Sequence, residues 1–302
     1  MNVNVQTIKN DWSEIPQGLT WYFIGAPKTG KSTQASKWHK DGSSKVVILD
    51  TDLGADFVDG ANIIPITSFN PPMRTVLDKD GNPIHERNGT YVYEKQEPIP
   101  PIERGYYYRT GADKGKPMET YALTEAIPWL KKNWKSLPYE VIVMDTIDQV
   151  NMWIEEIITQ EAGVEDISEI GFGKGWSIAR KRGLNSIKRL QVFCKKNASD
   201  LILVSHAKPS STTDEKVQLG PELPRGFASA LLGKADIIGY TTANKQDNNY
   251  YISFLTYDER SVGSRLIPLK QKTLLFDYNV IADTIKNYEK NKENQNASTT
   301  KK

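Results

Sequence analysis

The chain has 302 residues, 38% of them hydrophobic, and its 39 lysines and arginines against 37 aspartates and glutamates leave a net charge of +2. A chain of this length can bury a sizeable core, so disorder throughout is excluded, and the even charge balance does not by itself indicate nucleic-acid binding. The single cysteine, Cys194, excludes an internal disulfide framework and a cysteine zinc site. No apolar run is long enough to span a bilayer and the first residues do not resemble a signal peptide, so we expect a cytoplasmic protein without membrane contact.

Short apolar segments separated by helical stretches predict the fold. Strands are predicted at residues 18–25, 45–50, 140–145 and 200–205, helices at 31–39 and 120–136, and antiparallel strands within 236–278. Continuous apolar runs are typical of strands that are covered on both faces. The pattern therefore predicts an α/β fold with a mostly parallel sheet, helices on both faces and antiparallel strands near the C-terminus.

Two segments differ from this pattern. Residues 70–118 are rich in proline and contain the turn pairs Asp80–Gly81 and Asn88–Gly89, which predicts an insertion with one or two β-hairpins. Residues 286–302 carry five lysines and two glutamates and predict a disordered polar tail. We expect residues 1–285 to form a single domain that includes the insertion.

A glycine-rich loop follows the first strand and fits the pattern G-x-x-x-x-G-K-[ST]. It consists of Gly25, Ala26, Pro27, Lys28, Thr29, Gly30, Lys31 and Ser32. In such a loop the backbone N–H groups point at phosphate oxygens, so this segment is the predicted binding site for ATP. Lys31 is expected to reach the β- and γ-phosphates, Ser32 to ligate Mg²⁺ and Thr33 to reach the α-phosphate. Lys28 either contacts nucleotide or is a solvated lysine of the loop.

Acidic residues end two of the predicted strands. Asp145 ends the strand at 140–145 and is expected to hold Mg²⁺ as a Walker B carboxylate. No glutamate follows it, since the next residue is Thr146, so the carboxylate that activates water must come from elsewhere. Asp52 is the favoured candidate for this base and Asp50 is the alternative, because both lie where the second strand would open near the γ-phosphate.

A polar pair, Ser205–His206, ends a fourth strand. A side chain in this position can sense the γ-phosphate and relay its state to the loop beyond. The alternative for His206 is a purely structural histidine.

Residues 171–196 contain eight basic residues and no acidic one. Read as a helix, the segment has one apolar face and one cationic face, with Arg180 outside the cationic face. The residues expected to contact nucleic acid are Lys174, Trp176, Arg180, Lys181, Arg182, Lys188 and Arg189. We interpret residues 171–176 as a loop that offers a lysine and a stacking surface to single-stranded nucleic acid, and 207–227 as a second polar loop. The alternative is a solvated charged face.

In their order along the chain these segments resemble the RecA/RadA recombinase ATPase core. GAPKTGKS resembles its Walker A, ILDTDLGADF its strand-two motif and VIVMDTID its Walker B. GFGKGWSIARKRGLNSIKRL resembles its first DNA-binding loop with the helix that follows, and VSHAK its polar strand-end motif. The similarity covers residues 18–285 apart from the insertion and is strongest to the phage-encoded Sak-four group of single-strand annealing ATPases.

The resemblance implies an ATPase that uses Mg²⁺, binds single-stranded DNA and acts in phage-type recombination or annealing, in the host cytoplasm. It also implies a homo-oligomer, as a ring or filament, and a single-strand DNA-binding protein as a partner. Nucleotide bound between subunits would allow Arg265 to complete the γ-phosphate site, against the alternative of a solvated arginine.

Three other functions remain open from the sequence. They are a small-molecule kinase, a helicase or packaging motor, and a nucleotide-gated DNA-binding module with little turnover.

Overall fold

The structure, a computed structural model, describes residue 7 and residues 10–74, 77–82, 98–211, 217–256 and 261–292. The strands are β1 (Thr20–Gly25), β2 (Val46–Asp50), β3 (Ile63–Ser68), β4 (Tyr106–Tyr107), β5 (Pro117–Met118), β6 (Tyr121–Ala122), β7 (Val141–Asp145), β8 (Asp200–Ser211), β9 (Val217–Pro221), β10 (Ile237–Asn244), β11 (Asn249–Ser253), β12 (Gly263–Ser264) and β13 (Thr273–Leu275). The helices are α1 (Lys31–Ala35), α2 (Leu123–Asn133), α3 (Ile147–Ala162), α4 (Lys174–Lys196), α5 (Arg225–Leu232) and α6 (Tyr278–Lys286).

One large sheet contains most of the strands, in the order β13-β11-β10-β1-β8-β7-β2-β3-β6, with β12 beside β10 and β9 beside β8. The run from β10 to β6 is parallel, whereas β9, β11, β12 and β13 pair antiparallel with their neighbours. This confirms the predicted α/β fold with a mostly parallel sheet and antiparallel C-terminal strands. Within 236–278, β10 differs from the prediction because it runs parallel to β1.

Side chains of β1 alternate between the two faces of the sheet, as the pleat of a strand requires. Tyr22 and Ile24 enter a core cluster shared with α2, α3, α4 and α5. Trp21 and Phe23 enter a second cluster shared with α1 and α6. Helices therefore cover both faces, as predicted.

Aromatic side chains dominate the second cluster. The ring of Trp38 packs edge-on against Phe23, with 4.7 Å between centroids, and Phe276 packs edge-on against the same phenylalanine at 5.0 Å. All three side chains are buried. Aromatic burial of this kind contributes both area and specific ring geometry to stability.

The first helix is shorter than predicted. Residues 31–39 were expected to be helical, but α1 ends at Ala35. The Ser36 hydroxyl donates to the carbonyl oxygen of Thr33 at 2.8 Å, and the chain then turns to bury Trp38. Burial of the Trp38 side chain is more favourable in free energy than continuation of the helix.

Within the predicted insertion, β4 and β5 form an antiparallel pair, with Tyr106 opposite Met118. The Asp80–Gly81 pair lies in a turn closed by Asp78, whose N–H donates to the carbonyl oxygen of Asn82 at 2.8 Å. The Asn88–Gly89 pair lies outside the described residues.

Residues 286–302 are predicted to form a disordered tail, and the structure describes the first seven of them. Lys286 belongs to α6, and residues 288–292 are also helical. Tyr288 packs against the second core cluster, which explains why the chain stays ordered here. Residues 293–302 lie outside the described part. In the part of the chain that the structure describes, no helix has both the length and the apolar character needed to cross a bilayer.

Replacing Phe276 with alanine should lower the free energy of unfolding by about 3–5 kcal/mol, because it leaves a cavity beside Phe23 and Trp38. Urea denaturation followed by circular dichroism measures this change. Val192→Ala, at an exposed site on α4, is the control and should change stability by less than about 0.5 kcal/mol. Equal stability of the two variants would contradict the packing described.

Candidate active site

The phosphate loop connects β1 to α1, and two of its glycines are required by close contacts. A Cβ on Gly25 would collide with the Thr241 side chain and lie 2.7 Å from the carbonyl oxygen of that residue. Gly30 has a φ of 78°, and a Cβ there would lie 2.7 Å from the ring of Tyr250. Glycine is the residue that tolerates both the left-handed backbone and the contact. The sequence pattern thus has a geometric basis in the neighbouring strands β10 and β11.

Lys31 is buried at the start of α1. Its ammonium donates to the carbonyl oxygens of Gly25 at 2.9 Å and Ala26 at 2.8 Å. Burial lowers the pKa of Lys31, while Asp145 and other nearby carboxylates act in the opposite direction. The lysine is therefore positioned at the loop, where phosphate oxygens would offer stronger acceptors than these carbonyls.

Thr29 has a structural role within the loop. Its hydroxyl donates to the carbonyl oxygen of Ala26 at 2.8 Å and lies 2.7 Å from the hydroxyl of Thr241. The side chain thus ties the loop to β10. Because its hydroxyl is used within the loop, Thr29 would contact a phosphate through its backbone N–H.

Asp145 ends β7 and is buried beside the loop. Burial raises the pKa of Asp145 to about 6, while a hydrogen bond from the Ser32 hydroxyl lowers it. The structure thus brings together the two predicted Mg²⁺ ligands, one hydroxyl and one carboxylate. This donor set fits Mg²⁺, which commonly takes one or two protein oxygens together with phosphate oxygens and water. In the described ranges, no group of three or more His, Cys, Asp or Glu side chains is arranged to hold a metal ion.

The structure separates the roles of Asp50 and Asp52. Asp50 is 2% exposed, and its carboxylate accepts hydrogen bonds from the N–H groups of Gly54 at 3.1 Å and Ala55 at 3.0 Å. Both oxygens therefore hold the turn after β2. These hydrogen bonds give Asp50 a structural role in the site.

Asp52 instead borders an open cleft and is accessible to solvent. Its carboxylate accepts a hydrogen bond from the Thr146 hydroxyl at 3.2 Å. Partial desolvation raises the pKa of Asp52, against the lowering effect of His206 and of the hydrogen bond from Thr146. Of the two candidates for the water-activating base, Asp52 has the geometry for it.

Asp148, which the sequence analysis did not identify, organises the end of β8. It lies in the first turn of α3 and accepts hydrogen bonds from the Ser205 hydroxyl and, at 2.6 Å, from the N–H of His206. The Nδ1 atom of His206 lies 3.2 Å from the same carboxylate, and this contact raises the pKa of His206. The available signal was an acidic residue three positions after Asp145, which is weak because acidic residues are common in first helical turns.

The predicted nucleic-acid residues on α4 divide into two groups. Lys174 and Trp176 lie in the first turn of the helix, not in a loop as predicted, because Gly175 packs closely against Ile167. Arg180 lies one turn further on, and Trp176 and Arg180 both line cavities at this end of the helix.

The other four follow the helix away from the site. They are Lys181, Arg182, Lys188 and Arg189. Arg182 forms an ion pair with Glu161 of α3 at 2.7 Å, so one predicted cation is already balanced. The helix is about 34 Å long, and near its end Lys195 contacts Gly18, just before β1 begins. The cationic face therefore extends to the opposite edge of the sheet from the phosphate loop.

The second predicted loop is largely ordered. Residues 207–211 continue β8 and pair with β9, and α5 begins at Arg225. Residues 212–216 lie outside the described residues. The segment after His206 is thus a β-hairpin followed by a helix, because its polar residues complete a backbone ladder.

A cleft of about 820 Å³ joins these elements, and we call it the Trp176 cleft. Its lining includes Asp52, Glu155, Trp176, His206, Lys208 and Arg225. The cleft thus brings the predicted base and the predicted sensor to the same space as the start of α4 and the β8–β9 hairpin.

Arg265 lies far from this edge in its own chain. Its guanidinium donates to Asp236 at 2.8 Å and to the carbonyl oxygen of Gly233 at 2.9 Å. Asp236 in turn accepts from the N–H of Thr20, the first residue of β1. Arg265 is therefore at the end of β1 opposite Gly25, and only a neighbouring copy could bring it to the nucleotide.

The raised pKa of Asp50 predicts a pH-dependent stability. In the unfolded chain the carboxyl should titrate near its ordinary value of 3.8, whereas in the folded protein it titrates at about 7. Between these values the folded state holds a proton that the unfolded state has lost, so this contribution to stability falls as pH rises from about 4 to about 7.

Asp50→Asn removes this titration. The unfolding free energy of the natural protein minus that of the variant should therefore decrease over this pH range and stay constant above it. Urea denaturation at several pH values measures the difference. Parallel pH profiles of the unfolding free energy for the two proteins would contradict the raised pKa of Asp50.

The chain was also compared with known proteins. A protein-family model described as an AAA domain matches residues 17–277. Comparison with curated proteins found no match. The matched segment includes the phosphate loop, the carboxylates that follow β2 and β7, and His206 at the end of β8. The chain therefore belongs to this family of AAA domains, and its P-loop marks it as a nucleotide-binding domain of the NTPase class.

Proposed function

We propose that this protein is an ATPase that binds single-stranded DNA and uses ATP to control that binding in phage-type recombination or annealing. The observation that carries the proposal is the Trp176 cleft. Its lining includes Asp52 and His206 together with Trp176 of α4 and Lys208 of the β8–β9 hairpin. The two segments interpreted from the sequence as DNA-binding therefore border the same space as the groups expected around the γ-phosphate.

Hydrolysis is assigned to groups at the carboxyl edge of the sheet. Lys31 and the loop N–H groups bind the phosphates, and Asp52 accepts a proton from the attacking water. Ser32 and Asp145 would hold Mg²⁺, which would supply positive charge against the negative charge that develops on the phosphates. The order of these motifs, which resembles that of the Sak-four group, supports this assignment.

Control of DNA binding is assigned to His206. Its N–H is held by Asp148, and its carbonyl oxygen accepts from the N–H of Glu222 at 2.8 Å. His206 thus connects α3, which begins beside Asp145, with the chain that returns from β9. A γ-phosphate beside His206 would favour one arrangement of the hairpin, and its loss would release it.

Assembly and partners extend the same proposal. A ring or filament of copies would allow Arg265 of one chain to approach the γ-phosphate of the next, provided that it leaves Asp236. The single-strand DNA-binding protein proposed as a partner, and action in the host cytoplasm, follow from the resemblance alone.

Lys31→Ala should abolish ATP turnover, because it removes the cation that contacts the transferred phosphate. Turnover is measured with and without single-stranded DNA, and Lys132→Ala on α2 is the control. Stimulation by DNA that Lys31→Ala lacks and Lys132→Ala retains is the expected result. Transfer of phosphate to a small-molecule acceptor instead of water would favour the kinase, and directional duplex unwinding would favour the motor.

The proposed coupling between ATP binding and DNA binding is tested by a separate measurement. DNA affinity should differ between the ATP-bound and nucleotide-free protein, as determined by fluorescence anisotropy with a labelled oligonucleotide. Equal affinities in the two states would contradict control by ATP. ATP-dependent binding without turnover would favour the nucleotide-gated module.

Asp52→Asn should lower kcat by about 10²–10⁴-fold while ATP still binds, because the variant loses the general base and keeps the phosphate loop. Since the pKa of Asp52 is raised and the base must be ionised, kcat of the natural protein should fall with decreasing pH at a pH above the ordinary value of 3.8. Steady-state hydrolysis over a pH series measures both effects. Unchanged kcat in Asp52→Asn would remove this residue from the mechanism.

A further inference from the structure

The Trp176 cleft is acidic inside, which limits what it can accept. Four carboxylates line it, from Asp52, Asp148, Glu155 and Glu222, against the cations of Lys208 and Arg225. The carboxylates would repel the phosphate groups of a DNA strand, so phosphates are favoured only near the cations of the cleft. Its volume of about 820 Å³ is within the range of about 300–1,000 Å³ that is typical of sites for small ligands. A single neutral base is therefore better suited to this interior than the charged DNA backbone.

Apolar side chains offer a stacking surface in this cleft. Trp176 is 39% exposed and Met152 of α3 is 54% exposed, although both are large apolar residues. Both contribute to the lining. Aromatic rings that stay accessible beside a strand-binding surface stack on nucleobases.

Cations lie next to the tryptophan. Arg180, one helical turn after Trp176, lines a smaller cavity of about 230 Å³ that also includes Trp176 and Gly226. A Cβ on Gly226 would lie 3.3 Å from Nη1 of Arg180, so the guanidinium rests against the start of α5. Arg225 precedes that glycine and lines the Trp176 cleft. The two arginines are placed to hold phosphates on either side of a base whose ring occupies the cleft.

Acceptors in the cleft favour a particular kind of base. Asn151 is buried and donates through Nδ2 to Glu155 at 2.5 Å, while its Oδ1 has no hydrogen-bond partner among the described residues. That oxygen is itself buried, so the acceptors open to a base in the cleft are the carboxylates of Glu155 and Glu222, which call for hydrogen-bond donors. Cytosine, adenine and guanine present an exocyclic amino group, which carboxylates accept, whereas thymine has none.

We propose that one unpaired base with an exocyclic amino group (cytosine, adenine or guanine) enters the Trp176 cleft and stacks on Trp176 while Arg180 and Arg225 hold the flanking phosphates. The inference rests on the proposed binding of single-stranded DNA and adds where and by what group the strand is held. The bound base lies beside Asp52 and His206, so that DNA and the γ-phosphate side of the nucleotide site share one cleft.

Binding of three fluorescently labelled 20-mers tests the inference by anisotropy at fixed salt and neutral pH. They are oligo-dC, oligo-dT and an abasic strand with the same phosphate backbone. The natural protein should bind oligo-dC more tightly than oligo-dT and bind the abasic strand most weakly. Trp176→Ala should weaken oligo-dC binding by about tenfold, as expected for the loss of one stacking contact. The abasic strand should show no such loss.

Matched variants separate the cleft from general effects. Glu155→Gln should reduce the preference for oligo-dC over oligo-dT, whereas Glu156→Gln, exposed on the same helix, should retain it. Trp129→Ala, which removes an exposed tryptophan of α2, should bind all three strands as the natural protein does. Circular dichroism confirms that each variant is folded before binding is compared.

The outcomes distinguish this inference from the proposed function. Equal affinity for the three strands, or equal losses in Trp176→Ala for the abasic and base-containing strands, would overturn base insertion and leave DNA binding intact. A preference for oligo-dT would also overturn it. No binding to any strand, with or without ATP, would overturn the proposed function and the inference with it.

Discussion

The parallel register of β1, β8, β7 and β2 is the constraint on which the site depends. In this register Gly25 lies beside His206, and Asp50 beside Asp145. Backbone pairing thus brings four separate sequence segments to one edge of the sheet, where β1, β2 and β7 end and β8 continues past His206 to Ser211. The side chains need only short reaches from rigid strand ends, so the phosphate loop, the carboxylates and the histidine stay close without a long loop to hold them.

Such a concentration of acids is electrostatically unfavourable, and its consequences are visible in the same residues. Burial raises the pKa values of Asp50 and Asp145 to about 7 and about 6, and the charge of Asp52 contributes to both shifts. Hydrogen bonds offset part of this cost, from two backbone N–H groups at Asp50 and from the Ser32 hydroxyl at Asp145. Lys31 is the buried cation at this edge. The arrangement is suited to a bound cation and a phosphate chain, which would relieve the repulsion among the acids.

Sequence reasoning identified the strand ends because each has a local signal. A β-branched apolar run followed by an acidic or glycine-rich turn is specified within about ten residues, and the parallel order follows from the helices between the strands. The sequence favoured Asp52 over Asp50 as the base, but it did not show that the N–H groups of Gly54 and Ala55 bind the Asp50 carboxylate, because that depends on how the turn folds. Asp148 was missed for a similar reason, since its partners Ser205 and His206 are more than 50 residues away along the chain.

Long-range packing also explains the other differences. The periodicity of residues 171–196 predicted that one face of the helix is cationic. The position of that face depends on the direction in which α4 crosses the sheet. Only the tertiary structure shows that Lys195 ends beside Gly18, and that Glu161 of another helix balances Arg182. The tail was predicted from composition alone, and composition does not show that Tyr288 packs against the second core cluster or that residues 288–292 are helical.

The position of His206 would allow a bound nucleotide to control the hairpin through few contacts. Its N–H is fixed by Asp148 at the start of α3, its carbonyl oxygen is bound by the N–H of Glu222, and the next residue opens the ladder between β8 and β9. A displacement of the His206 backbone would therefore be transmitted to Glu222, which lines the Trp176 cleft, through a single hydrogen bond. Coupling of this kind requires no chain of distant contacts, because the sensing group and the proposed DNA-binding hairpin are parts of one strand. The proposed control of DNA binding by ATP thus depends on whether the ladder has two arrangements that a γ-phosphate can distinguish, which is a property of β8 and its immediate neighbours.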